Sequence, residues 1–325
     1  MRKGVARKPL LQKTQSVQLV RGNTKSGRTT FWERIKVHDY KRVCVVRRVG
    51  GIGDVLMLTP SLRQLKRDFP ACELVFAIDM HTTANNVYHA LVANAPFVDR
   101  IIDARYVNHS DYDEVIDVSS VCIRYERTGL PAINRIDLFA RALGIKKVSN
   151  KLPFYLPLDH ELQWARNSLP TDKKIVILHT ASMEGKRCWP IENYLKLIAG
   201  AGPDVHFLIL DFNKKHSDWN HYYNCTDISG TNLREMAAYI AVADLFIGPD
   251  SGPMHLAGAL KTKAVVLFGS IPPEARINYY PTHVALTANL PCLGCWYKPC
   301  PIAVKCMKDI SASMVMSAMT KILGV

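Results

Sequence analysis

No apolar run in this 325-residue chain approaches the roughly 18 residues a helix needs to cross a bilayer. A helical membrane span is therefore excluded. The opening stretch MRKGVARKPLLQKTQSVQL is basic and lacks the apolar core of a secretory signal, so a cytoplasmic location is expected. Charged residues make up only 22% against 48% hydrophobic, which excludes a disordered chain and fits a soluble protein with room for two cores. No short-period repeat interrupts this, and nothing is of low complexity beyond the basic opening.

Negative charge is scarce in one place. Residues 1–40 hold ten Lys/Arg against Glu33 and Asp39, a local charge of +8 out of a total of +14. Three uses compete for this arm: a flexible solvated tail, an anchor to an anionic membrane surface, or a nucleic-acid arm. The tail ranks first and nucleic acid last, since aromatic interleaving is sparse. From 41 onward, short β-rich runs alternate with helical stretches, as a parallel sheet with covering helices requires. VCVV (43–46), ELVFAI (73–78), RIIDA (100–104) and EVIDVS (114–119) read as strands. Helices are expected over 54–69, near 84–94 and over 135–144. Prolines at 153, 157 and 170 mark a boundary, and the alternation then restarts. Strands are expected at 174–180, 206–212, 245–250 and 264–270, with helices at 191–202, 232–243, 254–260 and 311–324. The expectation is an α/β protein with a basic arm (1–40) and two Rossmann-like domains, 41–160 and 171–325.

Where a nucleotide fingerprint is expected, the sequence falls short of one. RRVGGIGDVLMLTP (47–60) leaves a strand and enters a helix with Gly50, Gly51 and Gly53. The dinucleotide pattern needs a third glycine where Leu56 stands, and no Lys-Ser or Lys-Thr follows to make a Walker loop. What the glycines supply is a backbone that turns tightly and admits a ligand. Asp54 stands at the start of the helix, where the dipole favours its ionised form; it is either a functional carboxylate or simply the helix cap. The stretch GPDSGPMHLAGAL (248–260) offers a better phosphate site. A strand ends at Asp250, and a helix begins around Ser251, Gly252 and Pro253, with its first amides open to an anion. His255, one residue further in, is either a phosphate donor or a satisfied core histidine. In HTASMEGKRCWPIENY (179–194), Lys186 and Arg187 follow a strand, where α/β sheets bind ligands. There they would neutralise a leaving diphosphate, or else be two solvated loop cations.

Of nine cysteines, Cys292, Cys295, Cys300 and Cys306 crowd into CLGCWYKPCPIAVKC. Disulfides are disfavoured in a cytoplasmic protein. The C-x2-C spacing suits a structural zinc or iron site, with free structural thiols as the alternative.

Taken together, GGIGDVLMLTPSLRQLKRDFP, HTAS…KRCWPIENY and DSGPMHLAGAL…VVLFG resemble the family-9 glycosyltransferases, the heptosyltransferases of lipopolysaccharide core assembly, from about residue 42 onward. The resemblance implies a GT-B fold, with the acceptor on the first domain and the nucleotide sugar on the second. It implies inverting transfer that needs no metal or other cofactor, typically of heptose from ADP-heptose, to a saccharide or lipid-linked saccharide acceptor. By position, Asp54 matches the family's catalytic base, and the glycines before it make room for the acceptor. Thr180 and Ser182 match its phosphate-contacting strand end, Lys186 or Arg187 its phosphate cation, and Asp250, Ser251, Gly252, Pro253 and His255 its donor-binding turn. Cys188 intrudes between KR and WP, leaving open which cation serves. The acid that holds the donor ribose is not evident, Asp211 being the candidate. Three alternatives stand beside this reading: transfer of another sugar or to a protein, a nicotinamide oxidoreductase, and a non-catalytic nucleotide-sugar-binding protein.

Overall fold

The computed structural model describes residues 30–81, 87–212, 218–296 and 299–325. Most of the basic arm, residues 1–29, lies outside them, as does the start of the helix expected near 84. The first half runs α1 (Phe31–His38), β1 (Arg42–Arg47), α2 (Ile52–Asp68), β2 (Glu73–Ile78), α3 (Val87–Val92), β3 (Arg100–Asp103), β4 (Glu114–Asp117), α4 (Val121–Glu126) and α5 (Arg135–Ala142). The second runs α6 (Asp159–Asn167), β5 (Lys174–His179), α7 (Ile191–Gly200), β6 (Val205–Leu210), β7 (Cys225–Asp227), α8 (Leu233–Val242), β8 (Leu245–Pro249), α9 (Gly252–Leu260), β9 (Ala264–Phe268), β10 (His283–Thr287), α10 (Lys305–Lys308) and α11 (Ala312–Leu323).

Two separate parallel sheets result, ordered β3-β2-β1-β4 and β10-β9-β8-β5-β6-β7. Their central strands are continuous apolar runs because helices cover both faces; Val45 pairs with Phe76 and Val176 with Leu245, all fully buried. In each sheet the strand order reverses at one place, between β1 and β4 and between β5 and β8. At such switch points the loops after the strands part and leave a crevice. The loop after β1 carries Gly50–Asp54, and the loops after β5 and β8 carry Thr180–Arg187 and Asp250–Gly252. The two halves meet where α2 packs against α9, with one apolar core running from Val55, Leu56 and Leu58 into Met254, Leu256 and Ala257.

Two local features need a physical account. Pro60 lies inside α2 and cannot donate to the Leu56 carbonyl, but the Thr59 hydroxyl donates to it instead at 2.6 Å. The flexible reading of residues 1–40 does not hold for residues 30–38. Thr30 and Glu33 form a capping box, and Phe31, Trp32 and Ile35 bury one face of α1 in the core. Arg34 then ties the helix to β4 by a two-pronged pair with Glu114 at 3.1 and 2.9 Å.

Candidate functional site at the interface of the two sheets

Helix α2 begins two residues before Asp54, so Asp54 occupies its third position. One carboxylate oxygen accepts the Gly51 amide at 3.1 Å, which is the capping role. It does not stop there. Arg47 from the end of β1 approaches the same oxygen at 3.1 Å, and Arg135 at the start of α5 donates to the other. Burial opposes the charge on Asp54, but Arg135, Arg47 and the amide outweigh it and hold the carboxyl well below the usual carboxylate range. Gly50 is required by its neighbours: its φ is +124°, and a Cβ there would lie 2.6 Å from Asp54 Oδ2. Gly53 faces the other half, where a Cβ would collide with the His255 ring.

Across that contact, α9 opens with Ser251 in extended conformation and Pro253 in its first turn. The Ser251 hydroxyl caps nothing and is buried without a hydrogen-bond partner among the described residues. It stands beside the unpaired first amides of a nine-residue helix, an arrangement suited to an anion. Asp250, just before it, is buried. Burial is again outweighed, by Arg276 and Arg187, so its carboxyl is held below the ordinary value. His255 is turned inward. Its Nδ1 meets the Tyr280 hydroxyl at 2.7 Å, its Nε2 lies 3.9 Å from Asp250, and burial pushes its pKa down to about 3. The ring is neutral and packs the interface between α2 and α9 rather than the open helix end.

The two loop cations separate. Arg187 pairs with Asp250 at 3.1 Å and with Glu184 at 2.5 Å, which places it at the start of α9. Lys186 donates to the carbonyl of Trp296, in the cysteine-rich segment. The Thr180 hydroxyl points inward and donates to Asp211 at 2.7 Å. The Ser182 hydroxyl accepts the Glu184 amide at 3.4 Å, and the Ser182 amide donates to the Cys188 sulfur at 3.3 Å, so both knit the loop. Asp211 as a ribose-binding acid is corrected: it is 1% exposed, and Thr180 and the Trp219 indole both donate to it. Its oxygens hold the ends of β5 and β6 together.

Of four further charged residues of the site, Glu126, Arg135 and Arg276 lie outside the motifs, and Arg47 opens the glycine-rich stretch. Arg47, Glu126, Arg135 and Arg276 are buried or nearly so, and the Glu126–Arg276 pair joins the halves. Glu126 takes Arg135 at 2.7 and 2.6 Å and Arg276 at 3.1 Å, and Arg276 lies 3.6 Å from Asp250. Arg276 is covered by the Trp296 ring at 5.6 Å.

The four clustered cysteines are free thiols, with Cys292 exposed and Cys306 buried. Burial pushes the Cys306 thiol up, and its three neighbours add to this. Soft thiolates suit zinc or iron. Among the described residues, no three His, Cys, Asp or Glu side chains are gathered as a ligand set.

Two parallel Rossmann-like sheets, whose switch-point loops meet where α2 packs against α9, define a GT-B protein. A profile of "Glycosyltransferase family 9 (heptosyltransferase)" matches residues 116–305, and the chain belongs to that family. Lipooligosaccharide heptosyltransferase 2 of Campylobacter jejuni is 29% identical over 189 residues, 53% of this chain and 57% of that protein. The chain thus spans little more than half the length of that curated relative. The fold is shared with a glycosyl transferase family 9 protein of Veillonella parvula (TM-score 0.67, 17% identity, 87% of this chain and 97% of that one). It is also shared with the ADP-heptose LPS heptosyltransferase II of E. coli (TM-score 0.66, 16% identity, 87% and 98%).

Proposed function

We propose that this chain is an inverting glycosyltransferase that moves a heptose-type sugar from ADP-heptose to a lipopolysaccharide-core or related saccharide. The observation that carries the reading is the juxtaposition across α2 and α9 of a buried carboxylate, Asp54, with an anion-ready helix end at Ser251–Gly252 and its cation Arg187. The first domain (41–160) takes the acceptor and the second (171–325) the donor. The acceptor hydroxyl attacks the anomeric carbon from the Asp54 side and gives its proton to Asp54. The bond from that carbon to the diphosphate breaks, and its electron pair leaves with the phosphate oxygen. The amides of Gly252 and Met254, the Ser251 hydroxyl and Arg187 stabilise that charge, the role a divalent ion has in other transferases. Arg187, on Asp250, is the stronger candidate for the phosphate cation, and Lys186 shapes the wall beside it.

The described residues contain no helix long and apolar enough to cross a membrane. In this reading the basic residues of 1–29 hold the enzyme peripherally at an anionic surface, and their deletion leaves turnover of a soluble acceptor intact. Metal analysis before and after Cys→Ser changes tests a structural zinc or iron ion on Cys292, Cys295, Cys300 and Cys306; active protein free of metal removes it. The test of the whole reading is a binding screen of nucleotide sugars, followed by mass spectrometry of product. Binding of ADP-heptose with a heptose added to the acceptor supports it, and binding of no nucleotide sugar removes it.

A further inference from the structure

Building on the transferase reading, we propose that Glu126 is a positioning residue that couples occupation of the donor site to release of Asp54. Its carboxylate side chain has no exposed surface and is shared between two arginines from opposite halves of the protein. On one side Arg135 divides itself between Glu126, with two bonds of 2.7 and 2.6 Å, and Asp54. On the other, Arg276 divides itself between Glu126 at 3.1 Å and Asp250 at 3.6 Å, next to the first turn of α9. Asp54, Arg135, Glu126, Arg276, Asp250 and Arg187 form one chain of alternating charge from the acceptor side to the donor side.

Such a chain has a direction of response. A carboxylate clamped by Arg47 and Arg135 is a weak proton acceptor, because the cations stabilise the form that must pick up the proton's charge. A diphosphate at the start of α9 adds negative charge beside Arg276 and draws on it. Glu126 then loses part of one partner and attracts Arg135 more strongly, and Arg135 loosens its hold on Asp54. Each exchange trades one charge-assisted bond for another inside a buried site, so no bare charge is left at any stage. The donor thereby arms the base, and Asp54 stays neutralised while no sugar is there to transfer.

The test is Glu126→Gln in the full chain, read by ADP binding in calorimetry and by kcat with saturating ADP-heptose. ADP is expected to bind at least threefold tighter, because Arg276 is no longer shared. At the same time kcat is expected to fall at least tenfold, because Arg135 remains on Asp54. A merely structural lesion lowers both quantities, so the opposite movements are the signature. ADP affinity unchanged or weakened, or kcat within threefold of the parent, overturns the coupling. If Glu126→Gln does not fold, Glu126→Asp keeps the charge but shortens its reach to one arginine. It is expected to show the same opposed changes, at least twofold each, and movement together or not at all overturns the proposal. A parent protein that neither binds ADP nor makes product removes the transferase reading itself, whereas an active parent with an unaffected Glu126→Gln removes only the coupling.

Discussion

Gly53→Ala is a one-carbon change that tests how closely the two halves must meet. A Cβ at 53 would collide with the His255 ring edge and lie 3.1 Å from its Nε2. The ring cannot simply swing aside, since its Nδ1 is bonded to Tyr280 at 2.7 Å and its other nitrogen faces Asp250. Two opposed effects decide the outcome. Alanine gains about 0.5–1 kcal/mol over glycine in a helix. Overpacking costs about 1–3 kcal/mol, and losing the Tyr280 bond a further 0.5–1.5 kcal/mol or about that. The net expectation is a loss of about 0.5–4 kcal/mol, read by denaturant unfolding. In a His255→Ala background the collision partner is gone, so the same change should cost nothing or stabilise slightly. A neutral or stabilising Gly53→Ala in the parent protein, or equal effects in both backgrounds, would refute the close α2–α9 approach on which the site depends.

Other expectations follow from the same geometry. Arg187→Gln should weaken nucleotide-sugar binding and slow transfer by about 2.7–4 kcal/mol of transition-state stabilisation, the range for loss of one preorganised donor; Lys186→Gln should do less, and the reverse order in donor titrations would exchange their roles. Stability should start to fall with acid well above the carboxylate range. Burial holds His255 at about 3 against an ordinary 6.5, so below pH 6.5 the unfolded chain binds a proton that the folded chain refuses. Stability from this group is complete above 6.5 and declines by about 1.4 kcal/mol per pH unit towards 3. His255→Gln should remove that one-proton slope between pH 6 and 4 in unfolding titrations, and an unchanged slope would place the proton elsewhere.

The fold was legible because parallel strands buried on both faces are continuous apolar runs, and VCVV, KIVILH and AVVLF announce themselves. Elements that lack this signal were not. Helix α4 is six residues long, β7 three, and β10 is an edge strand with half-exposed residues. The loop positions of Asp54 and of Ser251–Gly252 could be read from glycine and proline punctuation, since both are local. Of the partners of Asp54, Arg47 lies in the same stretch, but Arg135 lies far along the chain and reaches the site only through tertiary packing, as does Arg276, the second arginine on Glu126. For the same reason Asp211 resembled a ligand-binding acid until Trp219 and Thr180 were found on its oxygens. A helix in the basic arm was hidden by the surrounding charge, although the FWERI stretch and its threonine cap were present all along.

The central claim is that Asp54 takes the acceptor's proton while the second half holds the donor. Its most direct test compares the parent chain with Asp54→Ala for ADP-heptose affinity and for product by mass spectrometry. Affinity within about threefold, together with transfer reduced at least a hundredfold or about 2.7 kcal/mol, is the predicted result. Turnover by Asp54→Ala near the parent rate would contradict it.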